Sequence, residues 1–223
     1  MKRPAGTLIR YTAATRINHW ITAACFTLLT LSGLAMFDPT LFFLSNLFGD
    51  GQTTRAVHPW FGVVLVASFS ILFVRFWHHN LWNRNDMKWI GAIKYLLMND
   101  EEHVPSVGRY NAGQKFVFWS MALLILVLFV SGLVIWDQYF LPYTTIEEKR
   151  VAVLVHSLAA VAGMAILIIH VYAGIWVRGS VRAMIRGYVS AGWAWRHHRS
   201  WLREEASRSP AAPTSAGQTK IAE

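Results

Sequence analysis

Charge is scarce in this 223-residue chain. Asp, Glu, Lys and Arg together make 15% of it, while 54% is hydrophobic. Soluble domains carry about 25% charged residues. The shortage is concentrated in four apolar runs that hold no Asp or Glu at all. Cysteine is nearly missing: Cys25 stands alone, which excludes an intrachain disulfide and a thiolate metal cluster. No glycine-rich phosphate loop and no internal repeat stand out. Acidic residues are outnumbered 12 to 21, for a net charge of +9. The basic residues flank the apolar runs, so membrane topology and anionic lipid headgroups account for them, and no nucleic-acid partner is expected.

What is present is four runs long enough to cross a bilayer, which takes about 20 apolar residues. They lie near 17–37, 57–77, 116–136 and 151–177. The first follows a basic stretch but lacks a small-residue cleavage site, so it reads as a retained helix rather than a signal peptide. Trp20, Trp60, Trp77, Trp136 and Trp176 lie near the ends, as interfacial aromatics do. The loops after the first and third runs hold only Arg55, Lys149 and Arg150, so eighteen of the twenty-one basic residues fall on the other side. The positive-inside bias then places both termini in the cytoplasm. The reading is an all-α integral membrane four-helix bundle. A short interfacial helix is expected over 86–99, where apolar residues recur at three and four. The organisation that follows is a cytoplasmic N-terminus at 1–16, the bundle at 17–179, a basic membrane-surface segment at 180–206 and a disordered tail at 207–223.

Ionisable residues inside a span usually mark function. His19, His58, His156 and His170 lie inside. Topology sorts them by depth: His58 and His156 near the outer face, His19 and His170 near the inner one. His156 and His170 are 14 residues apart, about four helical turns, so they share one face about 21 Å apart along the axis. A haem iron held by two axial histidines needs facing imidazoles on neighbouring helices, and two pairs at two depths suit that chemistry. Zinc sites gather three or four ligands at one depth. A single buried histidine is more often a satisfied polar contact, but four in depth-matched pairs read as ligands. Gly33 and Gly163 share faces with the histidines, which suits either close approach of a flat macrocycle or close helix packing. His78 and His79 close the second run beside headgroups, and His103, His197 and His198 are expected against solvent or a partner. Arg10, Arg16, Arg75, Arg178 and Lys115 ring the inner face, where they suit haem propionates or lipid phosphate.

These residues sit within longer blocks: NHW at 18–20, HPWFG at 58–62, VRFWHHN at 74–80, VGRYNAGQK at 107–115, LVHSLAA at 154–160 and IIHVYAGIWVRGS at 168–180. In that order they resemble the gamma subunit, a cytochrome b, of membrane-bound respiratory formate dehydrogenase. The resemblance implies two haem b groups, the outer on His58 and His156 and the inner on His19 and His170. It also implies a quinone site, for menaquinone or ubiquinone, at Asn111, Gly113 and Gln114; from the residues alone that run reads first as a helix cap. The implied partners are an iron–sulfur beta subunit and, through it, a molybdenum- or tungsten-containing alpha subunit. The implied place is the bacterial inner membrane, and the implied role is electron transfer and quinone reduction, with no catalytic residue in this chain. The sparse outer loops, 38–54 and 137–150, are the expected docking surface. The rival readings are a cytochrome b of a hydrogenase or related dehydrogenase and, from another class, a histidine-based proton or ion transporter.

Overall fold

The computed structural model describes residues 4, 6–98, 100 and 103–208. Four long helices dominate: α1 Ala13–Phe37, α2 Gly51–Phe76, α5 Ala112–Ile135 and α7 Ile146–Trp176. A 3-10 turn, Trp77–Asn80, extends α2. These helices start four to six residues before the apolar runs do. The cause is polar capping. Thr12, Asp50, Asn111 and Thr145 each accept, through the side chain, a backbone N–H three residues on. A cap satisfies an otherwise orphan donor. Hydropathy marks where hydrocarbon begins, and these polar first turns lie outside it.

Only 11–22% of each apolar window is buried within the chain. The rest of the apolar surface faces outward, which in water would be untenable and in lipid is required. α1 packs mainly on α2, and α5 on α7. The two pairs meet around Cys25, Phe26, Leu65 and Ile125. Cys25 is thus a small core residue. Asn18 on α1 donates its amide to the Ser68 carbonyl of α2 at 2.8 Å, and the Thr22 and Ser68 hydroxyls meet at 2.9 Å. Such polar links help hold helices where apolar surface gives no preference for a neighbouring helix over lipid.

One end of the bundle carries a folded cap. Strand β1, Thr7–Ile9, pairs antiparallel with β2, Tyr188–Ser190, Leu8 opposite Val189. Around it lie α8 Ser180–Arg186, α9 Ala191–His197 and α10 Arg199–Arg208. Trp201 and His198 are both 2% exposed. The Ser200 N–H donates to the Val107 carbonyl, so the loop before α5 joins the same cap. This short sheet has no counterpart in the all-α expectation. The cap gathers the N-terminal arm, the loop before α5 and the C-terminal segment, and with them Arg10, Arg109 and the seven arginines of 178–208, at one end. The stretch beyond 208, expected to be disordered, lies outside the described residues.

The expected interfacial helix is two: α3 Arg84–Gly91 and α4 Ile93–Leu97, with Ala92 between them. Asp86 and Trp89 turn inward, while Met87, Ile90 and Ile93 are exposed. At the opposite end a 3-10 stretch, Pro39–Phe48, and the short α6, Asp137–Phe140, connect the long helices. There Trp60, Trp136 and Tyr139 meet edge to face at 5.0–6.2 Å.

Candidate functional site

The four span histidines form two facing pairs. The His58 and His156 ring centroids are 6.3 Å apart, and those of His19 and His170 are 6.2 Å apart. An iron with an imidazole on each side at about 2 Å, each ring centre about 1.2 Å behind its nitrogen, separates the centroids by about 6.3 Å. Both pairs therefore have the width of one bis-histidine iron. The donor set, two neutral imidazoles per level, also suits haem. α2 and α7 supply one pair, α1 and α7 the other, so α7 contributes to both. His19, His58 and His156 are half-buried, and His170 is exposed on the flank of the bundle.

The two pairs differ in what stands behind them. Ser32, fully buried, lies 2.7 Å from His58 Nδ1, and Ser131 lies 2.9 Å from His156 Nδ1. A ligating histidine almost always bonds through its second nitrogen to such a partner. His19 Nδ1 is buried without one among the described residues. Sequence reasoning missed both serines. The signal was present as the triplet Ser-Gly-Leu at 32–34 and again at 131–133. It is a local internal repeat, too short to stand out against an apolar background.

The glycines separate by role. A Cβ on Gly33 would lie 3.6 Å from His58 Cε1, and one on Gly132 would lie 3.4 Å from His156 Cε1. Gly132 was not singled out in the sequence. Gly163 serves packing instead: a Cβ there would meet the Phe26 ring at 3.4 Å.

Asn111 and Gln114 form a reciprocal capping box at the start of α5. Asn111 Oδ1 accepts the Gln114 N–H at 2.9 Å, and Gln114 Oε1 accepts the Asn111 N–H at 3.1 Å. Gly113 lies against Trp89, where a Cβ would come within 3.3 Å. The capping box uses both amide oxygens and leaves both amide NH2 groups as donors.

Most of the basic ring is engaged within the protein. Lys115 Nζ is buried and bonds Asp86 Oδ2 at 2.7 Å and the Leu81 carbonyl at 3.0 Å. Arg75 reaches the Thr12 and Thr15 hydroxyls, and Arg16 the Ile185 carbonyl. Arg10, 2% exposed, bonds the Arg109 carbonyl and lies 4.5 Å over the Trp201 ring. Arg178 is exposed, as is Arg75 despite its contacts. His198, expected against solvent, is buried and donates from Nδ1 to the Gly108 carbonyl at 2.9 Å. Burial first, and the Arg10 guanidinium second, push its pKa down to about 3.

Four membrane-length helices with facing histidine pairs at two levels have the build of a membrane cytochrome b. A family model described as prokaryotic cytochrome b561 matches residues 10–187, and the chain belongs to that family. The chain is also similar to cytochrome b556 subunits of formate dehydrogenases. It is 47% identical over 204 residues to the cytochrome b556(fdo) subunit of Escherichia coli K12, covering 92% of this chain and 95% of the relative. It is 41% identical over 197 residues to the nitrate-inducible cytochrome b556(Fdn) subunit of the same organism, covering 88% and 91%. It is 36% identical over 198 residues to the formate dehydrogenase cytochrome b556 subunit of Haemophilus influenzae, covering 89% and 83%.

Proposed function

We propose that the chain is the dihaem cytochrome b subunit of a respiratory formate dehydrogenase in the bacterial inner membrane, with both termini in the cytoplasm. It takes electrons from an iron–sulfur subunit at the outer face and delivers them to quinone at the inner face. The iron–sulfur subunit in turn joins it to a molybdenum- or tungsten-containing formate-oxidising subunit. The observation that carries this reading is the pair of histidine pairs, each one iron wide, with α7 common to both. Haem, when bound, supplies a one-electron carrier at each level. His58 and His156 hold the outer one, His19 and His170 the inner one. The step of about 21 Å between His156 and His170 sets the two carriers at opposite faces.

Quinone needs hydrogen-bond donors at its carbonyls and a flat approach to the backbone. The NH2 groups of Asn111 and Gln114 supply donors, while an approach at Gly113 requires the Trp89 ring, which covers the side a Cβ would take, to move aside. These residues open α5 at the capped, basic end, beside the inner pair's face of the bundle. Protons for reduction then come from the cytoplasm.

A redox-titrated optical spectrum of the wild type beside His58→Ala and His19→Ala tests the ligands. The wild type shows two b-type components, and each variant loses one. Retention of both components in both variants would overturn the assignment. Purification through this chain is expected to bring down iron–sulfur and formate-oxidising subunits; a hydrogenase in their place would overturn the partner assignment.

A further inference from the structure

The Ser-Gly step occurs twice, at Ser32-Gly33 on α1 and Ser131-Gly132 on α5. Each lies on the helix packed against the one that carries an outer histidine. Each serine hydroxyl has one proton, and the distances say where it points. Ser32 Oγ donates to the Leu28 carbonyl at 2.7 Å, and Ser131 Oγ to the Val127 carbonyl at 2.6 Å. If that proton turned to the imidazole instead, two oxygens would face each other lone pair to lone pair at those separations. The hydroxyl therefore accepts from the ring. Nδ1 carries the hydrogen in both His58 and His156, and Nε2 keeps its lone pair for a metal. A hydroxyl already donating is also a better acceptor. The glycine beside each serine lets the ring's Cε1 edge rest on the neighbouring helix. At the inner pair, by contrast, His19 Nδ1 has no partner among the described residues.

We propose that Ser32 and Ser131 are positioning residues for the outer pair. They fix both imidazoles in the Nδ1–H form and, by drawing on that proton, make each Nε2 a stronger donor. A stronger donor favours the oxidised metal, so the two serines hold the outer haem at a lower potential than it would otherwise have. This rests on the haem reading above.

The test is a potentiometric titration of the purified complex, wild type beside Ser32→Ala and Ser32→Thr. Ser32 is the cleaner position, because the Leu128 carbonyl also stands beside the His156 ring. Ser32→Ala is expected to raise the outer component alone. At fixed poise its oxidised-to-reduced ratio falls by about three- to tenfold, tenfold being about 59 mV for one electron. Ser32→Thr keeps the hydroxyl and stays near the wild-type value. An outer component unmoved by alanine, or moved equally by alanine and threonine, overturns the proposal. If alanine removes the outer component, threonine decides: retention at the wild-type potential supports the hydroxyl's role, and loss in both overturns it. A wild type without two b-type components would instead overturn the haem reading before any serine is changed.

Discussion

A lysine buried beside a membrane surface needs a partner, and Lys115 has Asp86, which also accepts the Asn83 N–H at 2.6 Å. Breaking such a pair from one side strands a charge, at a cost of about 3–5 kcal/mol. Lys115→Met is therefore expected to lower the melting temperature of the detergent-solubilised protein sharply. Lys115→Met combined with Asp86→Leu restores part of the loss, and a double variant no better than the single would argue against a stranded charge. His198 gives a pH dependence. The cap holds it neutral, with Arg10, His197 and Arg109 disfavouring its charge. The unfolded side chain titrates near 6.5, the folded one near 3. Between those values only the unfolded form takes up the proton, so cap stability falls as pH drops, by up to about 1.4 kcal/mol per pH unit. Hydrogen exchange of the cap amides against pH follows this, and His198→Asn, which keeps a donor, flattens the response. The four span histidines were legible because ionisable groups are rare inside spans. Ser32 and Ser131 were not, because serine in an apolar helix has ordinary uses and only the neighbouring helix reveals its partner.

The long helices were readable from hydropathy, but their starts were not, because Thr12, Asp50, Asn111 and Thr145 cap them in the polar layer. That distinction supplies a test at α5. Asn111→Asp with Gln114→Glu keeps both capping oxygens and removes both NH2 donors. Helix stability is expected to change little, while the KM for quinone rises by about tenfold, the worth of one hydrogen bond of about 1.4 kcal/mol. Asn111→Ala instead costs about 1 kcal/mol of stability. An unchanged KM in the double variant would leave Asn111 and Gln114 as a cap alone. At the other junction, Gly187 has φ +85° and a Cβ there would come 2.7 Å from the Tyr11 carbonyl oxygen. Gly187→Ala is expected to cost about 1–3 kcal/mol and to loosen the N-terminal arm, seen as faster proteolysis before α1. The sheet it supports was invisible in sequence, since three-residue strands far apart along the chain carry no periodic signal. The break at Ala92 was equally hidden, since the apolar spacing runs through it.

For the whole molecule, charge asymmetry is the feature with the longest reach. Eighteen basic residues against three are the ground for the proposed orientation, with 138 outside and 203 inside. With Cys25 replaced by alanine, Gln138→Cys is expected to react with an impermeant maleimide added to intact spheroplasts, and Arg203→Cys only after lysis. The opposite pattern would reverse the topology and with it the direction of electron flow. The bundle's architecture and the pairing of the histidines at two levels were legible because the bilayer imposes length on sequence. The folded cap was not, because basic, tryptophan-containing segments read equally well as membrane-surface stretches, and only long-range packing of Trp201 and Arg10 distinguishes them.

The pairing of Thr7–Ile9 with Tyr188–Ser190 also has a meaning in time. The first strand leaves the ribosome about 180 residues ahead of its partner, roughly 10–40 s at ordinary rates of synthesis. Throughout that interval the arm waits with its backbone unpaired while all four spans are laid into the bilayer. The arm can therefore close only after the last of the four long helices has been made, and the β1–β2 pairing is a late step of folding whatever the stability of the bundle.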